Sequence, residues 1–165
     1  MEKIEVTING NDMTLLVDEK WTLLYLLREV LKLTGVKPGC KTGDCGACKV
    51  IIDGEAKNSC LIKATKVDGK KIETIEGVSD GQQLHPLQEE FITAGAVQCG
   101  YCTPGMIMTA KAALDKNPNI SEEKIRQALS NNLCRCTGYA KIVEAIQKAG
   151  IRMSGDGTSG RDGMK

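Results

Sequence analysis

Cys40, Cys45 and Cys48 lie within the stretch GCKTGDCGACKV, residues 39–50. Their C-x4-C-x2-C spacing is one at which thiolates hold a 2Fe-2S cluster, and Cys60 is placed to be the fourth ligand. Gly39, Gly43 and Gly46 interleave the thiols, so the backbone is free to take positive φ and bring N-H groups against an anionic cluster. The chemistry on offer is redox. A second set of thiols follows in QCGYCTPG, residues 98–105, and NLCRCTGY, residues 132–139. Cys99 and Cys102 form a C-x2-C pair, and Cys134 and Cys136 a C-x-C pair. Each pair precedes a predicted helix, whose unpaired N-H groups and positive dipole end stabilise thiolates. By spacing alone this second set fits either a 2Fe-2S cluster or a four-thiolate structural zinc.

Eight cysteines in 165 residues also raise the possibility of disulfides, but that fraction is below the roughly 8–10% of disulfide scaffolds. The opening MEKIEVTING has no apolar signal core, and no run of 18 apolar residues exists to span a membrane. A reducing, cytoplasmic setting is therefore expected, where clustered thiols bind metal rather than pair. His85 is the single histidine, which rules out a Rieske centre and a Cys2His2 finger, since each needs two. A net charge of +1 gives no reason to expect nucleic acid or an acidic membrane surface as a partner. With one Phe, one Trp and three Tyr, a core split into two halves is thin, and metal ligation is expected to add stability.

The elements that position the thiols fall into two groups. Ile4, Val6 and Ile8 alternate with polar residues, Asn9-Gly10 is a turn dipeptide, and Met13 to Val17 returns, which predicts a hairpin. Leu23, Leu24, Leu26, Leu27, Val30 and Leu31 predict a helix that Gly35 and Pro38 end. Val50 to Ile52 before Asp53-Gly54, and Lys71 to Ile75, predict two more strands. An α+β domain over residues 1–78 then holds Cys40, Cys45, Cys48 and Cys60. From Gly77 onward helix signals replace strand signals. Helices are expected over His85 to Thr93, from Pro104 to the Asn117-Pro118 break, after a Ser121 cap with Glu122 and Glu123, and over Tyr139 to Ala149 with Gly150 as stop. These four predict a small all-α bundle over residues 79–153, and the glycine-rich residues 154–165 read as a mobile tail.

Taken in this order, GCKTGDCGACKV, SCL at 59–61, TIEGV at 74–78, HPLQ at 85–88, GAVQCGYCTPGM at 95–106 and NNLCRCTGYAKI at 131–142 resemble the iron-sulfur subunit of the molybdenum hydroxylases, the xanthine dehydrogenase family. The likeness covers roughly residues 1–150. Lys49 stands in place of a threonine and Asn131 in place of a glycine, neither at a ligand. The resemblance implies a plant-type β-grasp ferredoxin domain followed by a four-helix domain, each with one 2Fe-2S cluster. The ligands would be Cys40, Cys45, Cys48 and Cys60 for the first, and Cys99, Cys102, Cys134 and Cys136 for the second. It implies a molybdopterin-binding large subunit and an FAD-binding medium subunit as partners, with Gln98 and Cys136 touching the pterin. Electrons would run from molybdenum through the helical-domain cluster and the ferredoxin-domain cluster to FAD, and in reverse in the family's reductases.

Other features have structural readings. GVKPGCKT, residues 35–42, lacks the spacing of a phosphate-binding loop. Glu89 and Glu90 are read as solvated surface, His85 as a helix-start or interface residue, and Met106 and Met108 as core or interface. Leu61, Leu133 and Met106 are read as apolar neighbours that limit water at the clusters. No nucleophile-base pair or carboxylate dyad is evident, so no catalytic residue is assigned and substrate chemistry belongs to another chain. Two rival readings are a freely diffusing two-cluster ferredoxin and a zinc-stabilised interaction module. The substrate is not encoded.

Overall fold

Alternation along β1 (Glu2–Ile8) buries Ile4, Val6 and Ile8 on one face. Asn9 and Gly10, both at positive φ, turn the chain into β2 (Asn11–Val17), in register from Glu2 opposite Val17 to Ile8 opposite Asn11. The computed structural model describes residues 1–155, so the expected tail lies almost wholly outside the described residues.

The leucine-rich helix is shorter and wider than its sequence suggests. Thr22 caps α1 (Leu23–Tyr25) by accepting the Tyr25 N-H, and the next turn, Leu26–Val30, is a π-helix closed by the Leu31 N-H on the Leu26 carbonyl. Lys32 at φ 59° ends it. The Arg28 guanidinium donates to the carbonyls of Thr34 (2.6 Å) and Val36 (3.2 Å), folding the chain back on itself. Leu23, Leu24, Leu26 and Leu27 are thereby all buried.

Three further strands, β3 (Lys49–Ile52), β4 (Glu55–Asn58) and β5 (Lys71–Glu73), complete a sheet of order β2-β1-β5-β3-β4. Only the β1-β5 pair is parallel. β5 stops two residues earlier than expected because Thr74 turns toward the first hairpin. Its N-H donates to Asn9 Oδ1 (2.8 Å), and Asn9 Nδ2 donates to its hydroxyl (2.9 Å).

Four helices follow: α2 (Pro86–Thr93), α3 (Thr103–Lys116), α4 (Glu122–Ala128) and α5 (Ala140–Met153). His85 caps α2 with Nδ1 accepting the Leu87 N-H, as its helix-start reading requires. Ser121 caps α4 as expected. Gly150 does not end α5. A Cβ there would sit 2.4 Å from the Pro118 carbonyl oxygen, so glycine lets the helix pass a neighbouring loop and run on to Met153. Glu90 also departs from its expected exposure: it and Glu89 both pair with Arg152, tying α2 to the end of α5.

β3 is covered on both sides. Val50 and Ile52 face a core with Ile4, Leu26 and Ile72, while Ile51 joins a second core with Leu87, Phe91, Met106, Met108 and Ile146. The Lys111 ammonium of α3 adds a half-buried ion pair to Glu73 of β5 (3.2 Å). No helix among the described residues is long and apolar enough to cross a membrane.

Candidate metal centres

The first thiol loop is organised by its backbone. Lys41 at φ 59° and Gly43 at φ 90° curl it so that the N-H groups of Thr42 and Cys45 each lie 3.3 Å from Cys40 Sγ, and the Cys40 N-H lies 3.3 Å from Cys45 Sγ. Gly39 is required, because a Cβ there would stand 2.5 Å from Cys45 Sγ. Cys60 is held in a short turn against Cys48, where the Ser59 hydroxyl donates to the Cys48 carbonyl (2.7 Å) and Asn58 Nδ2 to the Gly43 carbonyl (2.8 Å).

The two sides of this site differ in charge preference. The Thr42 hydroxyl, with the N-H groups of Thr42 and Cys45, lowers the exposed Cys40 thiol to about 6. Burial and the neighbouring Cys48 thiol push Cys60 up to about 12. Cys40 is therefore a thiolate above pH 6 and regains its proton below it, whereas iron has to displace the proton on Cys60. In the iron-free chain at pH 7, iodoacetamide is expected to label Cys40 at least about tenfold faster than Cys60. Peptide mapping reads the order, and equal labelling would show that the loop does not form without metal.

The second site joins a helix start to a loop. Cys102 precedes α3 and contacts Cys134; burial, then the Cys134 thiol, pushes Cys102 up to about 12. Exposed Cys136 contacts exposed Cys99, whose thiol raises it. Burial acts to raise Cys134 too, but the Thr137 hydroxyl (3.1 Å) and N-H (3.4 Å) outweigh it and leave this thiol lowered. Tyr139, at φ 70°, closes the loop: its hydroxyl accepts the Cys134 N-H (2.9 Å) and donates to the Asn132 carbonyl (3.1 Å).

The two sites abut. The Leu133 N-H donates to the Cys45 carbonyl (2.9 Å), linking a residue of one thiol loop to the neighbour of Cys134 in the other. Buried Asn132 reaches the Gly46 carbonyl (3.5 Å) and accepts from the Thr109 hydroxyl (3.0 Å), and the Tyr101 hydroxyl donates to the Pro38 carbonyl (2.7 Å).

The structure thus brings the eight sequence-predicted thiols together in twos: Cys40 with Cys45, Cys48 with Cys60, Cys99 with Cys136, and Cys102 with Cys134. Among the described residues no three Cys, His, Asp or Glu side chains converge on one point suited to a single ion. Thiols grouped in twos suit a two-iron cluster, which takes two thiolates per iron, better than one tetrahedral zinc. Beside Cys102, the buried Thr103 hydroxyl has no hydrogen-bond partner among the described residues, as befits a donor next to an anionic group. Gln98 is exposed next to Cys99. Of the apolar neighbours, Met106 is fully buried, but Leu61 and Leu133 are 61% and 58% exposed and do not shield the sites within this chain. Thr42, Asn132, Thr137 and Tyr139 were not legible as site residues, although the Thr-Gly dipeptide after both Cys-x-Cys136 and Cys40-Lys41 is a signal that could have marked two of them.

Comparison with known proteins agrees with this geometry. Residues 6–74 match a 2Fe-2S iron-sulfur cluster binding domain and residues 74–147 a [2Fe-2S] binding domain. The nicotinate dehydrogenase small FeS subunit of Eubacterium barkeri is 50% identical over 88% of this chain and 93% of its own length. Among solved structures, quinoline 2-oxidoreductase from Pseudomonas putida 86 matches with a TM-score of 0.90 and 44% identity, over 94% of this chain and 97% of that one. Aldehyde oxidoreductase from Desulfovibrio gigas matches with a TM-score of 0.92 and 44% identity, over 95% of this chain but only 18% of that much longer one. The chain belongs to the xanthine dehydrogenase family of molybdenum hydroxylases, as the 2Fe-2S iron-sulfur subunit of a multi-subunit oxidoreductase whose substrate chemistry lies in partner subunits.

Proposed function

We propose that this chain relays electrons between molybdopterin in a large partner subunit and FAD in a medium one, through two 2Fe-2S sites. Residues 1–78 are read as a β-grasp ferredoxin domain ligating one cluster through Cys40, Cys45, Cys48 and Cys60. Residues 79–153 are read as a four-helix-bundle domain ligating the other through Cys99, Cys102, Cys134 and Cys136. A bound 2Fe-2S cluster supplies a one-electron carrier. The chain's residues supply the rest: backbone N-H groups bond sulfur in the first loop, Thr137 does so in the second, and the Leu133 to Cys45 hydrogen bond sets the spacing between the loops. Gln98 and Cys136, exposed at the second site, are assigned to the pterin contact, and the complex to the cytoplasm.

The observation that carries this reading is the pairing of all eight thiols in twos, in two sites joined by one backbone hydrogen bond. The native complex, purified without air and sized on a column, is expected to hold this chain with two different partner chains. It should contain about four irons and four sulfides per copy of this chain and give two distinct EPR spectra after dithionite. Elution of the chain alone with its iron would indicate a diffusing two-cluster ferredoxin. A colourless, zinc-containing chain would overturn the redox role.

A further inference from the structure

Both thiol loops carry a Thr-Gly dipeptide just after a cysteine, Thr42-Gly43 and Thr137-Gly138, with both glycines at positive φ. The two threonines use their hydroxyls differently. The Thr42 hydroxyl lies 2.5 Å from Asp44 Oδ2, so its single proton is divided between that carboxylate and the Cys40 thiol. No carboxylate contacts the Thr137 hydroxyl among the described residues. Its oxygen accepts the Tyr139 N-H (3.3 Å), which leaves its proton for Cys134 Sγ at 3.1 Å. The arrangement is fixed rather than rotameric: Gly138 and Tyr139 both sit at positive φ, and the Tyr139 hydroxyl is anchored to the Cys134 N-H and the Asn132 carbonyl.

We infer that Thr137 is a tuning residue whose hydroxyl raises the reduction potential of the second cluster independently of the first. This rests on Cys134 being a ligand of that cluster. Reduction adds one negative charge to the cluster and its thiolates. A donor fixed on a ligand sulfur stabilises the more negative state more strongly, so its removal makes reduction harder. A hydrogen bond to a charged acceptor is strong enough that losing part of it between the two oxidation states shifts the equilibrium about tenfold. For one electron that is about 59 mV.

The test is an EPR-monitored redox titration of the intact complex carrying the wild-type chain, Thr137→Val or Thr137→Ser. Valine is expected to lower the reduction equilibrium constant of the second cluster about tenfold, serine to restore it, and the first cluster to stay unchanged in both. A second-cluster potential that valine leaves in place, or a parallel shift of both clusters, overturns the assignment. If the valine variant does not retain the cluster, proton ENDOR before and after transfer to D2O decides. The Thr137 N-H (3.4 Å from Cys134 Sγ) supplies one exchangeable coupling in every variant; a second one present in the wild type and Thr137→Ser and missing from Thr137→Ala supports the assignment, and an unchanged set of exchangeable couplings in Thr137→Ala overturns it. If the wild-type complex itself shows no second-cluster spectrum, the ligand assignment falls and takes this inference with it, whereas a spectrum that is present but unmoved removes only the role of Thr137.

Discussion

Cys45→Ser is expected to lower the iron content of the chain by about half, from about four to about two atoms, and to abolish one of the two EPR spectra while leaving the other in place. Cys45 has three functions in the first site: its thiol accepts the Cys40 N-H, its own N-H bonds Cys40 Sγ, and its carbonyl receives the Leu133 N-H. Serine keeps the two backbone contacts and removes only the soft sulfur that iron prefers over a hydroxyl. The second site depends on its own scaffolding, the α3 start behind Cys102 and the Tyr139 clasp around Cys134, so it has no need of a filled first site. Iron and acid-labile sulfide assays with EPR check both halves of the prediction. Two unchanged spectra would remove Cys45 from the ligand set. Loss of both would show that the second loop takes its shape from the first.

Local pattern carried most of the elements, and the failures have a common cause in contacts that sequence does not display. The first hairpin follows from Asn9-Gly10 and the alternation around it, and α4 from Ser121 with its acidic first turn. β4 escaped notice because EAKN lacks β-branched or aromatic residues; it forms as an edge strand because Asp53-Gly54 returns the chain alongside β3. The π turn at Leu26–Val30 accompanies Arg28 reaching carbonyls six and eight residues ahead, and α5 passes its glycine because of Pro118, far away in sequence. Cysteine spacing announced two sets of thiols. It did not announce which thiols lie together, since Cys102 meets Cys134 and Cys99 meets Cys136 only once α3 and the loop before α5 have packed. Glycine was ambiguous for the same reason: Gly43 serves φ, but Gly105 sits in a helix at ordinary φ and looks replaceable until its neighbour is known.

Gly105→Ala therefore tests the junction directly, because helix propensity and packing predict opposite signs. In a free helix alanine is more favourable than glycine by about 1 kcal/mol. Here the added Cβ would lie 2.2 Å from the Gly46 carbonyl oxygen and 3.3 Å from Ala47 Cα, both backbone atoms with no rotamer to change. α3 has little freedom to withdraw, since Met106, Met108, Ala110 and Leu114 are buried in the helical core and Lys111 is tied to Glu73. Retreat of the Gly46 loop is blocked as well: Gly46 lies at φ +71° with its own Cβ position 2.3 Å from the Asn131 carbonyl. The two thiol loops have to part, which strains or breaks the Leu133 to Cys45 hydrogen bond. Overpacking of this kind costs about 3 kcal/mol, and a lost backbone hydrogen bond about 1 more, which the helix-propensity gain of about 1 kcal/mol reduces to a net loss of about 3 kcal/mol. The melting temperature of the chain is then expected to fall by about 6–12 °C. Each site keeps its own ligands, so both EPR spectra should persist while the magnetic coupling between them weakens. A variant that melts higher than the wild type, with coupling intact, would show that the helix-propensity gain prevails and that the halves are not in backbone contact at Gly46 and Gly105.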